Sequence, residues 1–177
     1  MARMRARALR FALVALAVAA GSTTLPAQYS LTVNKDRLMN AQNEPQNWLL
    51  MNGDYAGLRY SRLTQINRDN VKNLRLVWAM ALGGMQDVGQ NGPESELNPP
   101  IDNGFMYTSD GWGTIYKIDA RNGAFGKFVW IADPGVQHER NTTRTRAIAL
   151  WEDKVVANLP DGRVIAVNRD TGEIVWD

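Results

Sequence analysis

One stretch of this chain occurs twice: Gly113 to Gly123 reads GTIYKIDARNG, and Gly162 to Gly172 reads GRVIAVNRDTG, 49 residues later and without a gap. In each copy a β-branched strand runs into a polar tight turn, and a further strand follows that ends in tryptophan, Trp130 or Trp176. Short β-rich runs surround both copies, at Phe105 to Thr108, Thr114 to Ile118, Lys127 to Ile131, Ala147 to Leu150, Lys154 to Ala157, Arg163 to Val167 and Ile174 to Trp176. Turn dipeptides such as Asp110-Gly111, Asn122-Gly123, Asp161-Gly162 and Thr171-Gly172 separate them. Short, evenly spaced strands fit a sandwich, a barrel or a propeller. The repeat decides, because a period of about 40–50 residues is that of a four-stranded propeller blade. The expected fold is all-β, with about two blades present and Trp78 and Trp176 largely buried.

Upstream, Asn47 to Trp78 combines a turn at Asn52-Gly53, a short helix signal and a strand. Asn67 suits the N-cap, with Asp69 in the first turn and Leu74 at the close. Leu74 to Leu82 alternates as a half-buried strand does. Residues 83–98, rich in Gly, Gln, Asn and Pro, read as loop. Residues 28–46 are polar with weak periodicity and form a lead-in segment that wraps a surface.

The first 27 residues read as an export signal. Four arginines (Arg3, Arg5, Arg7, Arg10) precede the apolar run Phe11 to Ala20, and small residues with Pro26-Ala27 follow. An uncleaved anchor is the other reading, but the run is shorter than the roughly 20 residues that span a bilayer. No stable membrane insertion is expected, and the mature product is expected in the periplasm. Removing the four arginines leaves 16 basic against 18 acidic residues, so the high pI belongs to the leader. Nucleic-acid binding, which needs a basic face on the mature domain, gains no support. Absence of cysteine excludes a disulfide, a thiolate metal site and a lipidated N-terminal cysteine. His138 is the sole histidine and reads as a surface residue, which argues against a Ser/His/Asp triad or a multi-histidine metal site. No GxGxxG or GxxxxGK[ST] loop occurs.

Several motifs then point to one family. Ala166, Asn168, Thr171, Gly172 and Trp176 fit AxDxxTGxxxW, the tryptophan-docking pattern of quinoprotein propellers, with Asn in place of Asp. In the first copy Trp130 lies three residues late, which suggests an insertion at Ala124 to Lys127. NW, NG, RYS, LTQINRDNVKNL and a closing tryptophan, in that order over 47–78, resemble the N-terminal signature of pyrroloquinoline quinone (PQQ) dependent methanol and ethanol dehydrogenases. On this resemblance residues 47–177 are an incomplete part of an eight-bladed quinoprotein propeller.

Two further matches reach the cofactor. ELNPPIDNGFMY (Glu96 to Tyr107) resembles the segment with a glutamate three residues before a proline, so Glu96 takes the place of the glutamate that contacts PQQ. TRAIALWEDKVV (Thr145 to Val156) resembles the segment that begins NRG, so Arg146 takes the place of its PQQ-contacting arginine. PQQ is a planar anion with three carboxylates, and a guanidinium pairs with a carboxylate in bidentate geometry. Taken alone, Glu96 beside Ser95 and Asn98 reads as a solvated loop carboxylate, and Arg146 as one of several exposed cations in RNTTRTR. Departures from the pattern are plain: Arg140 and Asn141 stand where the family usually has adjacent cysteines, and Thr145 and Ala147 replace the asparagine and glycine of NRG. Near Asn158 and Leu159, where the family often presents a threonine to the cofactor, none is present.

What the resemblance implies is a periplasmic enzyme that oxidises a primary alcohol. A Ca²⁺ or lanthanide ion polarises the quinone carbonyl, an aspartate takes the alcohol proton, hydride passes to the quinone and electrons leave to a cytochrome c. It places no catalytic residue and no metal ligand in this chain, so the chain alone is expected to be inactive. The alternatives are a non-catalytic propeller scaffold, against which the missing lipidated cysteine counts, and a truncated gene remnant, since closure normally takes four or more blades.

Overall fold

The computed structural model describes residues 32–83, 94–137 and 144–177, which fall in one compact unit. The leader, residues 84–93 and the stretch containing His138, Arg140 and Asn141 lie outside the described residues.

Two four-stranded antiparallel sheets carry the molecule. The first has the order β2 (Ile101–Asp102), β3 (Phe105–Ser109), β4 (Ile115–Asp119) and β5 (Lys127–Ala132). The second runs β7 (Ile148–Trp151), β8 (Lys154–Asn158), β9 (Val164–Asn168) and β10 (Ile174–Trp176). Each is a four-stranded meander in sequence order, as the repeat requires, and the seven long strands fall within one residue of the runs read from the sequence. The repeat is also visible atom by atom. Asp119 Oδ1 accepts from the Arg121 amide at 3.1 Å, and at the matching place Asn168 Oδ1 accepts from the Asp170 and Thr171 amides at 2.8 and 3.0 Å. Aspartate and asparagine therefore make the same side-chain-to-backbone turn, and the substitution costs the motif nothing.

The seam between the sheets is where the tryptophan signal acts. Trp130 is buried, its indole N–H donates to the Arg169 carbonyl at 2.9 Å, and its ring lies on Gly172. Gly172 has φ +79°, and a Cβ there would meet the Trp130 ring at 2.9 Å. Trp78, half-buried, covers Gly126 of the first sheet in the same way. Phe125 and Gly126 both have positive φ, so the extra residues between Ala124 and Lys127 form a left-handed kink that carries this glycine. Trp176 does not follow the expectation: it is 44% exposed. Its two predecessors are covered by a turn glycine of the following sheet, and no described residue plays that part for Trp176.

Polar groups complete the seam. Lys117 is buried with Nζ 2.7 Å from the Arg169 carbonyl and 4.7 Å above the Phe105 ring. Asp102, fully buried, accepts from Arg169 Nη2 at 2.5 Å and from Arg37 Nη2 at 2.8 Å. Arg37 belongs to α1 (Lys35–Met39), which Asn34 caps by accepting from the Arg37 amide at 3.0 Å. The lead-in segment is thus a clip that reaches both sheets, bridging Glu152 through Val33 and holding Asp102 of β2 through Arg37.

Of two expectations upstream, one holds in part and one is revised. Asn67 does cap a turn, with Oδ1 accepting from the Asp69 and Asn70 amides ahead of the 3-10 turn Val71–Asn73. Leu74 to Leu82, however, is not a strand: Leu76 is 84% exposed, and no described strand pairs with it. Alternation alone cannot make a strand where the backbone has no ladder partner.

Candidate functional site

A third, smaller pairing sits ahead of both sheets. β1 (Glu94–Ser95) and β6 (Arg144–Thr145) run parallel, with Glu94 opposite Arg144 and Ser95 opposite Thr145, and the Glu96 amide extends the ladder by donating to the Thr145 carbonyl at 2.9 Å. From the sequence, 83–98 reads wholly as loop, and the structure places β1 within it. Strand side chains alternate, so Ser95 and Thr145 share one face while Glu94, Glu96, Arg144 and Arg146 share the other.

The hydroxyl face fixes the pair to the first sheet. Ser95 Oγ donates to the Ser109 carbonyl at 2.7 Å, and Thr145 Oγ1 donates to the Asp110 carbonyl at 2.8 Å. Thr145, in the place of the family's asparagine, is therefore a buried anchor. Asp110 in turn organises the β3–β4 turn, accepting through Oδ1 from the Trp112 and Thr114 amides and through Oδ2 from the Tyr116 hydroxyl at 2.8 Å. Burial, aided by the neighbouring Asp110 carboxylate, pushes the Tyr116 phenol up to about 12. The Ser109 hydroxyl is buried without a hydrogen-bond partner among the described residues.

On the charged face, Glu96 and Arg146 meet although 50 residues separate them: Arg146 Nε donates to Glu96 Oε2 at 3.1 Å. Both stay open to solvent, Arg146 at 70% and Glu96 at 41% exposure. Among the described residues Arg146 is engaged through Nε, and a guanidinium held that way keeps two terminal nitrogens whose geometry suits a carboxylate. That donor set fits a planar polyanion. The sequence reading singled out neither Glu94 nor Arg144, which complete the face. Their only signal was the two-residue spacing from Glu96 and Arg146, and it has meaning only once the two segments are known to be paired strands. Among the described residues no three of His, Cys, Asp or Glu cluster as a metal ion would require.

Comparison with known proteins identifies this architecture. Residues 48–177 match the family model described as "PQQ: Glucose/ethanol/alcohol dehydrogenase, beta-propeller domain". The quinohemoprotein alcohol dehydrogenase of Comamonas testosteroni is 38% identical over 144 residues, which are 77% of this chain and 18% of that protein. In structure the chain resembles the quinohemoprotein alcohol dehydrogenase ADHIIG of Pseudomonas putida HK5 with a TM-score of 0.71 and 32% identity, covering 82% of this chain and 20% of that one. It also resembles a europium-containing methanol dehydrogenase, with a TM-score of 0.66 and 28% identity, covering 80% of this chain and 24% of that one. The chain thus spans about a fifth of the length of the proteins it matches. The sheets, the tryptophan-on-glycine seam and the family match agree, and the chain belongs to the PQQ-type alcohol dehydrogenase β-propeller family.

Proposed function

We propose that this chain forms part of the cofactor cradle of a PQQ-dependent enzyme that oxidises primary alcohols in the periplasm and passes electrons to a cytochrome c. The observation that carries the reading is the meeting of Glu96 and Arg146 across the β1/β6 pair at 3.1 Å. Two residues from segments 50 apart, each ahead of a different sheet, meet on one exposed face, which supports a shared role toward one ligand. Arg146 would take a carboxylate of PQQ with its terminal nitrogens, and Glu96 would hold the guanidinium plane through Nε. When bound, PQQ supplies a quinone able to accept the hydride of an alcohol. The relatives' names support the alcohol, the quinone and, in one case, a lanthanide ion. A Ca²⁺ or lanthanide ion would be held elsewhere in the full-length protein.

The test is a PQQ titration of the full-length protein, followed by quenching of tryptophan fluorescence. Arg146→Met should weaken binding by about tenfold, the loss expected for a charge-assisted contact. Unchanged binding would remove the assignment and favour a non-catalytic propeller scaffold.

A further inference from the structure

Glu96 poses an electrostatic problem for the proposed cradle, because a glutamate beside a ligand with three carboxylates repels it unless its charge is compensated. In the structure Glu96 is shared. Its Oε2 faces Arg146 Nε at 3.1 Å, and its Oε1 faces Arg144 Nε at 3.3 Å. Arg144 Nε also pairs with Glu94 Oε2 at 2.9 Å. The register of the parallel pair produces this arrangement: Glu94 lies opposite Arg144, and two residues on, the same face presents Glu96 and Arg146. While Arg146 offers its terminal nitrogens to a ligand carboxylate, Arg144 is the second cation on Glu96.

We propose that Arg144 is a positioning residue for the cofactor site, acting through Glu96: it keeps the Glu96 carboxylate compensated and directed away from the bound anion, leaving Arg146 to the ligand. The proposal rests on the cofactor reading of Glu96 and Arg146 given above. A purely structural role for Arg144 is a poor alternative, since its pairs are half-exposed and exposed ion pairs contribute little to folding. Its influence should therefore appear in ligand affinity and not in thermal stability.

A double-mutant cycle on the full-length protein separates the possibilities, with PQQ affinity read by fluorescence titration and Tm read in parallel. Arg144→Gln should raise the Kd for PQQ about fivefold, the upper range for an exposed ion pair, with Tm unchanged. Arg144→Lys, which keeps the charge, should stay near the parent value. In a Glu96→Gln background, where the Glu96 carboxylate no longer needs compensation, Arg144→Gln should have no further effect. An Arg144→Gln Kd equal to the parent's overturns the proposal, as does a lysine variant no better than glutamine. A fivefold loss that persists in the Glu96→Gln background also overturns it, because Arg144 would then touch the ligand directly. If Arg146→Met leaves PQQ affinity intact, the cofactor reading itself fails, independently of Arg144.

Discussion

Lys117 shows how a single residue in the seam sets a measurable property. Burial, the largest influence, lowers its amine to about 8, and the Asp170 carboxylate 3.7 Å away offsets only part of that. In the unfolded chain the amine stays protonated up to its ordinary value of 10.5. Between pH 8 and 10.5 the unfolded state therefore holds the extra proton, and stability rises with pH across that window. Tyr116 acts in the opposite sense. Its folded phenol titrates near 12 against 10 unfolded, so above pH 10 the unfolded state loses its proton first and stability falls. Thermal unfolding of the 177-residue chain should give a Tm that climbs from pH 8 toward 10 and declines beyond it. Lys117→Met should flatten the climb, and a climb that survives this substitution would assign it to another group.

At the scale of elements, the tryptophan-on-glycine contact separates two costs that sequence comparison merges. Gly123 and Gly172 both lie in the left-handed region, with φ +85° and +79°, but nothing lies within 4 Å of a Cβ at Gly123, whereas at Gly172 it would strike the Trp130 ring at 2.9 Å. Gly123→Ala should cost only the backbone strain, about 1–2 kcal/mol. Gly172→Ala should cost that and about 1 kcal/mol or more for displacing the ring. Urea unfolding measures the difference, and a change in Trp130 emission should accompany Gly172→Ala alone. The same contact explains what could be read from the sequence. Strands β3 to β5 and β7 to β10 were legible because their hydrogen-bond partners are near neighbours in the chain, so alternation and turn residues suffice to define them. β1 and β6 were not legible, since they are two residues long and pair across 50 positions, where no local periodicity operates. Leu74 to Leu82 carried a strand pattern without a ladder partner. Glu96 and Arg146 were found only through family resemblance, and Arg169, read as a residue of a polar turn, is a buried cation between Asp102 and the Tyr107 ring.

At the scale of the molecule, binding residues and turnover need not reside in the same stretch of chain. The described residues supply a pair of guanidinium groups on a short strand pair, which Ser95 and Thr145 fix to the first sheet. Alcohol oxidation also requires a group to take the hydroxyl proton and a Lewis acid beside the quinone. On the exposed charged face the carboxylates are Glu94 and Glu96, and both already face guanidinium nitrogens at 2.9 to 3.3 Å, so neither stands free to accept a substrate proton. No three potential metal ligands cluster among the described residues, and the chain spans about a fifth of the length of its relatives. The 177-residue chain, supplied with PQQ, a primary alcohol, Ca²⁺ or a lanthanide ion and an artificial electron acceptor, should therefore show no turnover above a protein-free blank. Metal-dependent turnover by the 177-residue chain, lost in Arg146→Met, would place the whole catalytic apparatus within these two sheets and their lead-in.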